Sequence, residues 1–297
     1  MKKLNRILFS ILFASLAIPF ASCGDDEEED DTPKASLPTS VGENIFSGKT
    51  FTKGSEGSEG SENTWKFSAD TAVNEYKRDE DGEIYSETTT YRYSYDTTKS
   101  VLYLAVKSNS GSWTENGESG SWSISSVDEY VAEVKKEAEG VTLTEGDISY
   151  LTDEAKSCFA VPKVYKYEIS GDTISFTRYF DGSLPTDCDF SSSDESIKLS
   201  DRLKISSGDS SEFDNFRARY LTYSDGKFSG NIYGESYSES DDWEHYTLLG
   251  KVEGTYSTSG TGTEGAGCTV KLTFTAIPDE VASASGVAKG TEYTLTF

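Results

Sequence analysis

The sequence predicts a mainly β protein, an antiparallel up-and-down barrel of about eight to ten strands with a short helical insertion. Three observations carry that expectation. Apolar residues recur with a period of two along much of the chain, Gly-containing tight turns separate the periodic runs, and one central segment changes to a helical period. Only 35% of the residues are hydrophobic, while Tyr, Phe and Trp make up 12%. A sheet needs one apolar face per strand, and aromatic rings fill a core from few positions.

The first 23 residues stand outside the barrel. Lys2, Lys3 and Arg6 form a basic head, and Ile7 to Ile18 are apolar apart from Ser10 and Ser15. That layout is a secretory signal peptide, too short for the roughly twenty residues of a spanning helix. Ala21 and Ser22 are small, and Cys23 follows them. This junction resembles the lipobox of bacterial lipoproteins, with Phe20 where the family usually has Leu. The resemblance implies a signal peptide over 1–22, acylation of Cys23 and a membrane partner reached through the N-terminal lipid. An ordinary secretory cleavage near Ala21 or Ser22 is the alternative.

Residues 23–43 read as an acidic, disordered tether. Asp25, Asp26, Glu27, Glu28, Glu29, Asp30 and Asp31 repel one another and bury nothing. The run resembles the acidic signal behind the lipid cysteine of surface-exposed lipoproteins, which implies an outer-membrane protein facing the cell surface. A plain charged spacer on a protein facing the periplasm is the alternative. Loss of the signal peptide removes three cations and no acid, taking the net charge from −25 to −28. Such a chain repels nucleic acid, so no nucleic-acid partner is expected.

Residues 44–297 are expected to form one barrel domain. In "YTLLGKVEGTY", Tyr246, Leu248, Gly250, Val252, Gly254 and Tyr256 alternate with polar residues, Leu249 excepted; Val270, Leu272, Phe274 and Ala276 repeat the pattern. Similar runs occupy 64–69, 71–78, 84–95, 100–107, 163–170, 172–180, 215–224, 226–237 and 291–297. "DEDGE" at 79–83, "SGDT" at 170–173 and "SDGK" at 224–227 are hairpin turns. Residues 126–160 break the pattern as a helical insertion. There Ser126 and Glu129 make a capping box, Val127, Tyr130, Val131, Val134 and Ala138 form a stripe, and a second helix spans about 151–159. Pro-poor hairpins, "FSGKTFT" near the start and the interrupting helix loosely resemble lipocalin-like barrels of bacterial lipoproteins. That resemblance implies a barrel mouth able to hold a small ligand.

Few residues point to chemistry. Tyr91, Tyr93 and Tyr95 share a strand face with Tyr85, either as an aromatic platform for a ligand or as core; Tyr233 and Tyr237 pose the same choice. Arg178 falls in register with Ile174, Phe176 and Phe180. It would anchor an anionic group inside the barrel, or be answered by a buried carboxylate or turned out by a bulge. After acylation of Cys23, Cys158 and Cys188 are the preferred disulfide, with Cys268 left over. Asp79, Asp81 and Glu83 only superficially resemble a calcium loop. His245 is the single histidine, expected at a strand edge beside Trp243.

No nucleophile elbow, phosphate loop, dinucleotide fingerprint or Cys/His cluster occurs, so no catalytic residue, metal or cofactor is expected. Tyr293, Leu295 and Phe297 alternate to the C-terminus, as does the last strand of an outer-membrane barrel, but the other strands lack its apolar band. The expected function is non-catalytic binding of a small apolar molecule, a glycan or a protein by a lipid-anchored surface barrel. A structural or host-contacting protein with a filled barrel is the alternative, and a secreted hydrolase working through paired carboxylates is a third.

Overall fold

A computed structural model describes residues 32–53, 61–80, 82–138, 140–200, 203–208 and 211–297. Cys23, the signal peptide, the acidic run and Asp81 lie outside the described residues, and the expected disordered tether is corrected over 32–43, where Ala35 is buried and Val41 N–H donates to Tyr95 O at 2.7 Å. The chain divides into two compact units, the first comprising residues up to Glu137 together with Tyr165–Thr177, the second Ala138–Val164 and Arg178–Phe297.

The first sheet contains β1 (Thr50–Lys53), β2 (Ser61–Phe67), β3 (Thr71–Glu80), β4 (Glu83–Asp96), β5 (Val101–Glu115), β6 (Glu118–Ile124), β7 (Lys163–Ser170) and β8 (Thr173–Phe180). Neighbours run β1-β2-β3-β4-β5-β7-β8, and β8 returns to β1, closing a barrel of 7 strands. The closing pair is parallel, with Thr52 opposite Thr173 and Lys53 opposite Ile174. A purely antiparallel barrel is therefore corrected to a mixed one. The reason lies in strand number: an up-and-down chain alternates direction, so an odd number of strands brings first and last together pointing the same way.

The inward face follows the period of two. Phe51, Trp65, Phe67, Ala72, Tyr91, Tyr93, Leu102, Leu104 and Ile174 form one core, with Phe46 and Tyr167. β5 carries a bulge at Lys107, because Thr90 pairs with Ser108 whereas Tyr91 pairs with Val106. The bulge keeps Asn109 and Gly111 on the face that Leu102 and Leu104 occupy lower down. α1 (Val127–Glu137) follows β6, and its apolar stripe is buried as expected. Half of the expected capping box forms: Glu129 N–H donates to Ser126 Oγ at 3.2 Å, while the Glu129 carboxylate accepts from Ser125 instead.

The second unit contributes α2 (Glu145–Ala160) and a second sheet: β9 (Phe190–Ser192), β10 (Ile197–Leu199), β11 (Leu203–Ser206), β12 (Asn215–Ala218), β13 (Leu221–Ser224), β14 (Lys227–Ser238), β15 (Trp243–Ser259), β17 (Thr269–Ala276) and β18 (Glu292–Thr296). The two-residue β16 (Gly262–Thr263) pairs with the end of β8, and α3 (Asp279–Ser285) precedes β18. Neighbours run β12-β11-β10-β9-β18-β17-β15-β14, and β14 also pairs with β12, so this path too returns to its start. Every pairing on it is antiparallel. Two closed sheets thus stand where the alternation alone suggested one meander of eight to ten strands.

Phe190, Ile197, Leu199, Leu203, Ile205, Phe216, Phe228, Ile232, Val252, Val270, Leu272, Phe274, Leu295 and Phe297 fill the second core. Tyr293, Leu295 and Phe297 belong to this interior, which inverts the lipid-facing arrangement of a membrane barrel. β15 bulges at Leu249, since Ile232 pairs with Gly250 and Tyr233 with Leu248. Val252 and Gly254 consequently face inward, while Tyr246 and Leu248 face outward, correcting their expected common face. Phe274 has no solvent exposure and meets Phe228 and Tyr293 edge-on at 5.6 and 5.9 Å. Phe274→Ala is expected to lower unfolding free energy by about 3–5 kcal/mol, read from urea unfolding with an unchanged denaturant slope.

Candidate functional site

Two places gather polar groups where apolar packing would suffice. The first is the interior of the first barrel. Trp65, Asn74, Thr89 and Asn109 sit opposite one another across four successive strands, and Asn63, Tyr76, Glu87, Gly111 and Trp122 form the adjacent row. Glu87 has no solvent exposure; its carboxylate accepts from Tyr85 Oη at 2.7 Å and from Asn109 Nδ2 at 2.9 Å. Asn109 Oδ1 in turn accepts from Trp122 Nε1 at 2.6 Å. Trp122 lies over Gly111, where a Cβ would come within 2.2 Å of its ring, so only glycine permits this stack.

Below this polar row lies the tyrosine strip singled out from the sequence. Tyr91 stacks on Trp65 with ring centroids 5.7 Å apart, and Tyr93 packs edge-on against Phe67 and Phe46. Tyr93 Oη donates to Ser68 O at 2.8 Å, and its pKa is raised by burial. Tyr95 borders Tyr93 and Phe46. The strip is an inner wall of the barrel. Where wall meets polar row, Trp65 Nε1 and Thr89 Oγ1 are buried without a hydrogen-bond partner among the described residues.

The second place is the seam where α2 covers the outer face of β12, β14 and β15. Local sequence fixes how the helix starts: Thr144 Oγ1 accepts from Asp147 N–H, and Asp147 Oδ2 accepts from Thr144 N–H at 2.7 Å, a reciprocal cap. The same carboxylate accepts Tyr246 N–H at 2.7 Å through Oδ1 and meets His245 Nδ1 at 2.9 Å through Oδ2. Gly146 makes this approach feasible, since a Cβ there would stand 2.0 Å from Tyr246 O. Farther along, Asp153 Oδ2 accepts from Tyr233 Oη at 2.7 Å and Asn231 Nδ2 at 2.8 Å, and Ser149 bonds Tyr233 at 2.8 Å.

Two arginines of the barrel complete the seam. Arg219 forms a 3.2 Å ion pair with Glu154 and donates to Tyr150 Oη. Arg217 clasps Glu235 through both Nε and Nη2. Tyr150 and Tyr246 stack at 3.4 Å and 5°. Burial is the main cause that pushes the Tyr150 hydroxyl up to about 12 and raises those of Tyr233 and Tyr246 as well, so none supplies a phenolate at neutral pH. His245 has a carboxylate at each ring nitrogen, which leaves neither nitrogen for a substrate proton.

The remaining sequence candidates fall elsewhere. Arg178 belongs to the second unit and forms a half-exposed ion pair with Asp189, so neither an interior anchor nor a buried carboxylate partner describes it, whereas the tyrosine strip belongs to the first. The expected Cys158–Cys188 disulfide is corrected: Cys158, Cys188 and Cys268 are all thiols. Cys188 and Cys268 are packed in the apolar core. Burial pushes the Cys188 thiol up to about 12, with Thr186 Oγ1 donating to its sulfur at 3.4 Å. Among the described residues no cluster of three metal-ligating side chains occurs, and no helix is long and apolar enough to cross a membrane.

No protein-family model, curated protein or solved structure matches the chain. The seam and the exposed Arg178 pair make opposite predictions. Arg219→Ala strands a buried Glu154 and is expected to destabilise by about 3–5 kcal/mol. Arg178→Ala is expected to change stability by about 0.5 kcal/mol or less; thermal unfolding of both variants reads the contrast.

Proposed function

We propose that this chain is a lipid-anchored outer-membrane lipoprotein facing the cell surface, with the first barrel binding a small molecule without catalysis. The signal-like head, the small residues before Cys23 and the acidic run after it support the anchor. The observation that carries the binding half is the pair of unserved polar atoms inside the first barrel. Trp65 Nε1 offers a donor and Thr89 Oγ1 a donor or acceptor, beside the Trp65–Tyr91 stack. A buried polar group without a partner costs about 1–3 kcal/mol, so a guest that answers both recovers that cost. A neutral, ring-bearing molecule carrying a hydroxyl or carbonyl has the matching chemistry. An enclosed water is the competing occupant.

The second barrel supports a different reading of its own unit. Its interior is filled by Phe190, Phe216, Phe228 and Phe274, each no more than 3% exposed. A filled barrel is a scaffold that acts through its outer surface, in keeping with a structural or host-contacting role.

Native mass spectrometry of the protein, extracted gently from membranes of the producing cell, tests both halves. The expected product begins at Cys23 and carries acyl mass, which Cys23→Ser abolishes. A releasable small-molecule adduct is expected on the wild type and weakened at least tenfold by Thr89→Val and by Trp65→Phe. A chain without acyl mass overturns the anchor. Acyl mass with no adduct, or with water alone, overturns the guest and leaves the scaffold reading.

A further inference from the structure

His245 connects two elements that are distant in the chain. Its Nδ1 stands 2.9 Å from Asp147 Oδ2 in the first turn of α2, and its Nε2 stands 3.0 Å from Asp241 Oδ2 in the turn between β14 and β15. We propose that His245 is a proton-operated clasp: as an imidazolium it ties the Glu239–Asp242 turn to the start of α2, and on losing one proton it releases that turn while still holding the helix.

The asymmetry follows from what each carboxylate has besides the ring. Only an imidazolium donates from both nitrogens; a neutral ring presents one N–H and one lone pair, and a lone pair facing a carboxylate is repelled. Asp147 is 1% exposed on its side chain and also accepts from Thr144 N–H, Thr144 Oγ1 and Tyr246 N–H. It is cut off from water, so losing the imidazole donor would leave a buried carboxylate short of a partner. Asp241 is 27% exposed on its side chain and sits on a turn, where water takes the place of the ring. The neutral ring therefore keeps its proton on Nδ1, and the contact that opens is Nε2 to Asp241.

The surroundings favour the charged ring. Glu145 lies with Asp147 in the first turn of α2, Glu239 and Asp242 flank Asp241, and Glu244 precedes His245 on β15. From β11, Lys204 acts on Glu235 and Glu244. Burial lowers the proton affinity of His245, and the hydrogen bonds to Asp147 and Asp241 more than offset it, holding its pKa above the ordinary 6.5. Hydrogen bonds from Ser238 and His245 hold Asp241 below its ordinary range. The signs set the window. A raised histidine contributes stability in full below its unfolded value and loses it as pH rises through the folded value. A depressed carboxylate contributes above its unfolded value and loses it as pH falls through the folded one. The clasp is therefore closed between the lowered titration of Asp241 and the raised titration of His245, and it opens as pH rises through the latter.

A single histidine gives a single set of imidazole resonances, so NMR titration of the full mature chain reads the clasp directly. His245 is expected to titrate above 6.5 and to settle as the Nδ1–H tautomer. Amide protection in residues 239–242 is expected to fall severalfold through that titration, while protection at the start of α2 and at Tyr246 holds. Asp241→Asn is expected to lower the titration midpoint, and His245→Gln to make protection of the turn independent of pH. A midpoint at or below 6.5, an Nε2–H neutral form, or a turn whose protection ignores the titration would each overturn the proposal. These three readouts come from the wild-type chain and stand even if a variant does not fold.

Discussion

Closure is the constraint on which the rest of this structure depends. With 35% hydrophobic residues, the chain can supply each strand with one apolar face and little more. An open sheet with such a face must find another layer to cover it, and it leaves two edges to protect. Curling the sheet until its ends meet turns the single apolar face into a core and pairs those edges. The described residues do this twice, once with a parallel seam between β1 and β8 and once through β12 and β14. Aromatic rings then line the enclosed volume, since a barrel of about eight strands has room for side chains or for one small ligand.

The helix of the second unit departs from that economy. α2 meets the barrel wall with Asp147, Tyr150, Asp153 and Glu154, where leucines would have packed as well. Apolar contact tolerates sliding, whereas each carboxylate of this seam answers particular donors: Tyr246 N–H and His245, then Tyr233 and Asn231, then Arg219. Moving the helix by one turn would leave several buried charges without partners, a large cost in a low-dielectric setting. Position and orientation are thereby held more strictly than burial alone requires.

Much of the fold was legible in the sequence, and less of the sites. The period of two located most strands, and the Asp-Gly pair at 225–226 marks a turn in which both residues have positive φ, as a two-residue hairpin requires. Leu249, the one residue that broke the alternation of its strand, is the bulge that sends Tyr246 outward to α2. The start of α2 was missed because Gly146 reads as a helix breaker and Thr144-x-x-Asp147 is a weaker cap signal than one ending in Glu. Short strands β9 to β11 carry too few residues for a period to emerge. His245 lies 98 residues from Asp147, so no local pattern could join them. The split into two closed sheets was hidden for the same reason: alternation tells which way a side chain points, not which sheet receives it.

Strand β6, like β13, stands off the closed paths. Among the described residues β6 pairs only with β5, which leaves its far side with backbone groups able to accept another chain as a further strand. Lys136, projecting from α1, places its ammonium 3.3 Å from Ser121 O on that strand. An incoming strand would have to displace a charge that is already hydrogen-bonded and bring its own backbone past it. A charged side chain laid along an open strand is one of the devices by which natural sheets discourage edge-to-edge pairing, and here it is supplied by a neighbouring helix and not by the strand itself.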